Sequence, residues 1–160
     1  RGRANFEKKM KSSKMYNNVS IVDLSSNLAS ENSVDAVVTF RNLHNWIGPQ
    51  IDKIFEKSFK ALKPGGIFGV VEHRANPGTT LDAMKKSGYV TEDYAISIAK
   101  KHGFVLVDKS EINANPKDLK NYERGVWTLP PSLRLKDKDK EKYLEIGESD
   151  RMTLLFKKPK

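Results

Sequence analysis

The sequence predicts an α/β fold: a Rossmann-like, mainly parallel sheet with helices on both faces and one antiparallel strand. Short apolar runs of strand length alternate along the 160 residues with segments whose apolar side chains recur at helical spacing. This alternation is typical of a parallel sheet whose strands are joined by helical crossovers. The last two predicted strands have no helix between them, and that arrangement indicates one antiparallel strand at this edge.

The predicted elements begin with two strands and a helix. The β-branched run at residues 19–22 (V-S-I-V) predicts the first strand, and the apolar run at residues 34–40 (V-D-A-V-V-T-F) predicts a second strand that is buried on both faces. A helix opens at Pro49, because proline is favoured in a first helical turn, and continues to Leu62. Residues 63–66 (K-P-G-G) predict a turn.

The rest of the chain continues the alternation. Residues 67–71 predict the third strand, and residues 81–86 predict one or two helical turns. Thr91 is predicted to cap a helix that reaches His102 and stops at Gly103, because a threonine oxygen accepts from free N–H groups and glycine suits the left-handed stop. The remaining predicted elements are a strand at 104–107, a long irregular segment at 111–150 and a last strand at 151–156.

Composition narrows the function classes. The net charge is +9, and most of the excess is lysine scattered along the chain, which predicts a solvated basic surface. A non-catalytic module that binds nucleic acid is the alternative that this charge leaves open. The absence of cysteine excludes disulfides and thiolate metal sites. No apolar run reaches the roughly 20 residues of a membrane span. The three histidines lack the helical spacing of metal ligands, so no metal site is predicted.

Polar side chains follow three of the predicted strands, at the edge where open parallel sheets bind ligands. They are Asp23 after the first strand, residues 41–46 (R-N-L-H-N-W) after the second and residues 72–74 (E-H-R) after the third. Histidine exchanges protons near neutral pH, and arginine and asparagine hold carboxylates or ribose by directional hydrogen bonds. We therefore expect the last two groups to meet at one mouth of the sheet.

Each of these residues also has a structural interpretation, which stays open here. These interpretations are a turn or cap for Asp23, helix packing for Trp46, hydrogen-bonded structural positions for His44 and His73, and an ion pair for Glu72 with Arg74. The convergence of two polar groups after neighbouring strands favours the functional interpretation.

Two stretches resemble the middle of class I S-adenosylmethionine-dependent methyltransferases. Residues 33–40 carry an acidic residue at the start of a strand, and residues 61–68 (A-L-K-P-G-G-I-F) lead into the next strand. Six further blocks resemble a family of bacterial methyltransferases whose members are often exported and whose substrate is unassigned. These blocks lie at residues 39–46, 69–75 with 77–78, 87–90, 110–118, 125–131 and 146–154.

The resemblance implies a single incomplete methyltransferase domain over residues 1–160, with strands three to seven of the family fold and with residues 111–150 on the substrate side. It implies S-adenosylmethionine as the cofactor, a small-molecule acceptor and a periplasmic location. The implied cofactor-binding residues are Asp23, Leu24, Phe40, Arg41 and Asn42. The implied catalytic residues are His44, Glu72, His73 and Arg74. The implied substrate-binding residues are Trp46, Asn113, Asn115, Trp127 and Arg151.

The chain departs from the family pattern at its beginning. About 18 residues precede the first predicted strand, whereas the two βα units that open the family fold need on the order of 60. The glycine-rich loop that holds the cofactor is absent, so we expect a truncated frame or part of a longer protein, and poor cofactor binding. The strand at 34–40 would become a bare edge. We expect residues 19–22 to pair beside it, or two chains to pair there as a homodimer.

Overall fold

A four-stranded sheet forms the centre of the protein. The computed structural model describes residues 2–160, and its strands are β1 (Val34–Phe40), β2 (Leu62–His73), β3 (Val105–Ser110) and β4 (Arg151–Lys157). The spatial order is β1-β2-β4-β3. β1 and β2 are parallel, and β4 runs antiparallel to both of its neighbours. This arrangement confirms the predicted α/β class, with one antiparallel strand inserted between the last two parallel positions.

Within residues 2–160, five α-helices accompany the sheet: α1 (Gly2–Lys11), α2 (Pro49–Ala61), α3 (Leu81–Ser87), α4 (Glu92–Lys101) and α5 (Lys140–Ile146). Pro49 opens α2 as expected. The Thr91 side chain accepts a hydrogen bond from the Tyr94 N–H at 3.2 Å, so it caps α4. Gly103 follows this helix with φ +87°, a left-handed conformation that favours glycine. Two turns of 3-10 helix, Leu43–Trp46 and Gly125–Thr128, shape the loops beside the sheet.

The predicted turn at residues 63–66 is instead a bulge within β2. Val34 pairs with Leu62, but Ala36 pairs with Ile67, so three extra residues lie on the β2 side. A Cβ atom at Gly66 would lie 2.9 Å from the Lys63 carbonyl oxygen, and this close approach requires glycine. The strand therefore begins earlier than the apolar pattern indicated, because glycine and proline interrupt the pattern without ending the pairing.

The hydrophobic core lies on one face of the sheet. Phe68 of β2 is almost fully buried, with its ring centroid 5.0 Å from that of Phe55 on α2 and 5.3 Å from that of Phe104. α2 and α4 both pack on this face. On the opposite face Val38 and Phe40 are 59% and 63% exposed. The expectation of helices on both faces is thus corrected: the helices of residues 2–160 cover one face and leave the other open.

Residues 19–22 do not form a strand, which corrects the first predicted element. Val19, Ile21 and Val22 are exposed, and β1 pairs with β2 alone among the described strands. An extended segment becomes a strand only where a neighbour accepts and donates its backbone hydrogen bonds. Here the chain is drawn toward α2 instead, since Lys57 Nζ donates to the carbonyl oxygen of Leu24 at 2.9 Å. The expected pairing with β1 is therefore wrong, whereas the homodimer stays a prediction.

The segment 111–150 is mainly turns, with one short helix, α5, and one 3-10 turn. Its polar side chains hold it to the domain. Tyr89 donates to the carboxylate of Asp118 at 3.0 Å, and Asn113 donates to Thr153 of β4 at 2.8 Å. Among residues 2–160, the helices are too short or too polar for any of them to traverse a lipid bilayer.

Candidate active site

Two polar loops meet where β1 and β2 end. The strands are parallel and in register up to Phe40 and Val71, so the residues that follow them lie side by side. The Arg41 N–H donates to the Val71 carbonyl oxygen at 2.7 Å and extends this pairing by one residue. The 3-10 turn Leu43–Trp46 then folds the chain back over the end of β2. The sequence analysis expected this meeting, and the parallel register is its cause.

Glu72 is the centre of the site. Its carboxylate is fully buried and accepts hydrogen bonds from the backbone N–H groups of His73, at 2.8 Å, and of His44, at 3.2 Å. The Nδ1 atom of His44 lies 3.0 Å from Glu72 Oε1. A buried carboxylate is stable only when such donors or a cation compensate it. The local fold therefore places a buried carboxylate at the Nδ1 edge of the His44 ring.

His73 forms the other wall of this group. Its ring centroid lies 5.4 Å from that of His44, and its Nδ1 atom is hydrogen-bonded to the hydroxyl of Ser149. Burial lowers the pKa of His73 to about 4, although the charge of Glu72 acts in the opposite direction. The ring is therefore neutral at pH 7. We refer to these three residues as the His44–Glu72–His73 cluster.

The cluster opens on a cavity of about 300 Å³. Trp127 forms part of its wall, with its ring edge-on to His44 at 5.8 Å between centroids. The Arg134 guanidinium lies 4.6 Å from the centroid of the Trp127 ring and stabilises its position by a cation–π contact. Other residues that line the cavity are Phe40, Arg41, Asn45, His73, Pro130 and Ser149. The cavity thus has a mainly polar lining, with aromatic and proline side chains forming part of its wall.

Arg41 and Arg151 border an adjacent cavity of about 390 Å³, together with Asn113. Arg41 has φ +52°, a left-handed conformation that is strained for a residue with a side chain. Arg151 pairs with Glu148 at 2.8 Å. Because Glu148 offsets the charge of Arg151, Arg41 supplies the net positive charge at this mouth, which suits a ligand that carries a carboxylate.

The structure brings together several of the residues predicted from the sequence. Six of them line the first cavity or lie directly beneath it, and two others border the second cavity. The first group is Phe40, Arg41, His44, Glu72, His73 and Trp127. The second cavity shares Phe40 and Arg41 with the first and adds Asn113 and Arg151.

Asp23 and Leu24 lie elsewhere. They line a separate hollow along α2, beside Lys53 and Lys57. Asp23 pairs with Arg3 at 2.8 Å. Hydrogen bonds from Ser25, and then the pairing with Arg3, lower the pKa of Asp23 to about 2. Its contacts match the turn interpretation, and the structure does not place it with Phe40 and Arg41.

Arg74 also points away from the cavity. It donates to Asp150 at 2.8 and 3.0 Å, to Glu111 at 2.7 and 2.8 Å, and to Glu92 at 3.0 Å. The expected ion pair between Glu72 and Arg74 is therefore wrong, because Arg74 pairs with these three carboxylates instead. Arg74 ties the end of β2 to the start of β4 and to α4.

Three further residues act in packing or loop support. Trp46 is 9% exposed and belongs to the core, as its structural interpretation anticipated. Asn115 donates to the carbonyl oxygens of Ile146 and Glu148 at 2.8 and 2.6 Å and closes the irregular segment. Asn42 accepts from the Asn45 side chain at 2.8 Å and does not line the cavity.

Sequence reasoning missed two features of the site. Ser149 lines the cavity, but its segment carries no periodicity that predicts this position. The three side chains of the cluster also place ligand-type atoms within 4.8 Å of one another. Ligands spaced along one helix are recognisable in a sequence, whereas these histidines come from the ends of two strands.

Comparison with known proteins identifies the fold. No family model matches the sequence, and no curated protein is similar to it. Among solved structures, the chain resembles a SAM-dependent methyltransferase from Methanosarcina mazei, with TM-score 0.58 and 12% identity over 96% of this chain and 75% of that one. It also resembles phosphoethanolamine N-methyltransferase 2 of Haemonchus contortus, solved with S-adenosyl-L-methionine, with TM-score 0.53 and 19% identity over 86% of this chain and 36% of that one.

A third likeness carries different chemistry. The [4+2]-cyclase SpnF matches with TM-score 0.58 and 18% identity over 88% of this chain, and the chain spans 56% of the cyclase. One fold therefore serves methyl transfer and cyclisation, so the fold alone does not fix the reaction. What the likenesses do establish is that the chain has the fold of class I S-adenosylmethionine-dependent methyltransferases.

Proposed function

We propose that the protein serves S-adenosylmethionine-dependent methyl transfer to a small-molecule acceptor. The observation that carries this proposal is the His44–Glu72–His73 cluster, which opens on a cavity at the carboxyl ends of two parallel strands. Open α/β sheets bind their ligands at this edge. The methyltransferase fold supports the reaction type, and a cavity of about 300 Å³ supports a small acceptor.

The described residues fit one end of the cofactor. Phe40 and Arg41 border both cavities, and the strained Arg41 presents a cation at the mouth, which suits the methionine carboxylate. Asp23 and Leu24, expected on the adenosine side, lie along α2 and do not fit that role here. S-Adenosylmethionine would supply an electrophilic methyl group when bound.

The cluster would act on the acceptor. An O–H or N–H acceptor must lose a proton as it attacks, and a positioned base speeds this step by about 10²–10⁴-fold. We assign the base to His44, because Glu72 can accept its Nδ1–H and leave Nε2 free for the proton. His73 and Trp127 would orient the acceptor from the two sides of His44.

A labelled-methyl assay tests the proposal. The protein is incubated with S-adenosylmethionine labelled at the methyl group and with a fractionated small-molecule extract, and the cofactor is raised until the rate saturates. We expect label in a small-molecule fraction, and a rate reduced at least about 10²-fold in His44→Ala. His102→Ala is the matched control, because His102 pairs with Asp52 away from the cavity. An absence of labelled product, or equal rates in both variants, would contradict the proposal.

Calorimetry addresses cofactor binding separately. We expect S-adenosylhomocysteine to bind this chain more weakly than micromolar, because only one end of the ligand finds described residues. Micromolar binding that survives Arg41→Ala would show that other residues hold the cofactor.

The nucleic-acid alternative has no observation in its favour among residues 2–160, and the periplasmic location stays a prediction.

A further inference from the structure

We propose that the His44–Glu72–His73 cluster is a binding site for a divalent transition-metal ion. Each of these side chains offers one ligand atom, and the three atoms lie within 4.8 Å of one another. The site is separate from the cofactor question, since it can be filled and measured without S-adenosylmethionine. It goes beyond the proposed function, which assigns the cluster to proton transfer alone.

The spacing of the ligand atoms suits an ion. Nitrogen and oxygen ligands bind Zn²⁺ at about 2.1 Å, so two ligands at an angle of 90–109° are separated by about 3.0–3.4 Å. His44 Nδ1 and Glu72 Oε1 are 3.0 Å apart. All three ligand atoms lie within 4.8 Å of one another, so ion binding would draw them together toward that spacing.

Burial and hydrogen bonding prepare the site. Glu72 is fully buried, so it brings a negative charge that a cation would neutralise. Backbone N–H groups fix its carboxylate from the His44 and His73 sides. The Ser149 hydroxyl is bonded to Nδ1 of His73, which leaves Nε2 free and fixes the plane of the ring. Metal-ligating histidines are held through their second nitrogen in the same way.

The donor set selects the class of ion. Two imidazoles and one carboxylate suit Zn²⁺, Fe²⁺ or Co²⁺, whereas Mg²⁺ and Ca²⁺ prefer oxygen ligands alone. Sites with three protein ligands keep a position open for an exogenous ligand. Here His44 and His73 both line the cavity, so the open position would face it. The ion would accept an oxygen atom there, from water or from a hydroxyl or carboxylate of the acceptor.

Metal binding and the base role compete for His44, so they are measured separately. The metal-free chain is titrated with Co²⁺, whose visible absorption reports coordination by nitrogen ligands, and with Zn²⁺ by calorimetry. We expect one ion per chain. The chain has no cysteine and three histidines, so few other side chains could bind the ion. His44→Ala and His73→Ala should each weaken metal binding at least about 100-fold.

Two further variants sharpen the test. Ser149→Ala should weaken binding by about 10- to 100-fold, because Ser149 acts through the His73 ring. His102→Ala should bind as the wild type does. The Zn²⁺-dependent rise in the unfolding midpoint, lost in His44→Ala and kept in His102→Ala, separates lost ligation from lost folding. The proposal is overturned if no 1:1 binding occurs, or if binding is unchanged in both cluster variants.

Discussion

Asp150 should make the free energy of unfolding depend on pH in the acid range, because it is a nearly buried carboxylate between two cations. Its side chain is 7% exposed, and it lies 2.8 Å from Arg74 and 2.7 Å from Lys120. Burial by itself raises the pKa of Asp150. The hydrogen bonds from Arg74 and Lys120, with a third from the Asn115 N–H, prevail and lower it from 3.8 to about 2.

The shift converts into a free energy. Each unit of pKa difference between the folded and unfolded chain corresponds to about 1.36 kcal/mol, so the ionised Asp150 contributes about 2 kcal/mol at pH 7. The folded pKa is the lower one. The contribution is therefore complete above the unfolded pKa of 3.8 and disappears as the pH falls through about 2. At pH 3 about 1 kcal/mol should remain.

Asp150→Asn tests this reasoning. The variant should lose about 2 kcal/mol of unfolding free energy at pH 7, which is less than the 3–5 kcal/mol of a fully broken buried pair, because Arg74 keeps Glu111 and Glu92. Urea titrations at pH 7 and pH 3 measure the difference between variant and wild type, which should shrink in acid. Asp35→Asn is the control, since Asp35 pairs with Lys63 while 86% exposed, and its stability should not change measurably. A loss that is the same at both pH values would refute the argument.

Three other perturbations follow from the packing. Phe68→Ala should cost about 3–5 kcal/mol in urea titrations, because the side chain fills the aromatic centre of the core, and a loss below 1 kcal/mol would contradict that packing. Gly125→Ala should lower the free energy of unfolding by more than about 2 kcal/mol and shift Trp127 fluorescence, because the residue has φ +55° and its new methyl group would collide with the Ser87 carbonyl. An unchanged fluorescence spectrum would argue against this contact. The exposed β1 edge predicts a homodimer in sedimentation equilibrium, and Val38→Lys should make it monomeric without loss of stability; a wild-type monomer would exclude it.

Much of the sheet was predictable because its signals are local. The apolar run of β1, the proline at the start of α2 and the threonine cap of α4 each reflect a property of a few adjacent residues. The antiparallel position of β4 followed from the family resemblance and from the predicted absence of a helix between the last two strands, although the short helix α5 does lie between them. The strand predicted at residues 19–22 was wrong. A β-branched composition shows that a segment can adopt an extended conformation, but it does not show that a neighbouring strand is available to pair with it.

The candidate site was predictable in part. His44, Glu72 and His73 follow strands that are parallel neighbours, so topology alone brings them together. The direction of Arg74 was not predictable, because alternation would place it on the same face as Glu72, whereas it lies just beyond β2 and its direction depends on distant residues. Its partners Glu111 and Asp150 are 37 and 76 residues away in sequence. Trp46 could not be distinguished as core or wall until the turn after β1 was known.

Ser149 and Asp150 are adjacent just before β4, yet they belong to different assemblies. Ser149 steadies His73, whereas Asp150 anchors the ion pairs around Arg74. A change that loosens the salt bridges must move the peptide unit shared by the two residues, and with it the hydroxyl that sets the angle of the imidazole. The stability of the ion pairs around Arg74 and the orientation of the His73 ring are therefore coupled. Substitutions in the ion network should alter the chemistry of the cavity although they do not contact it.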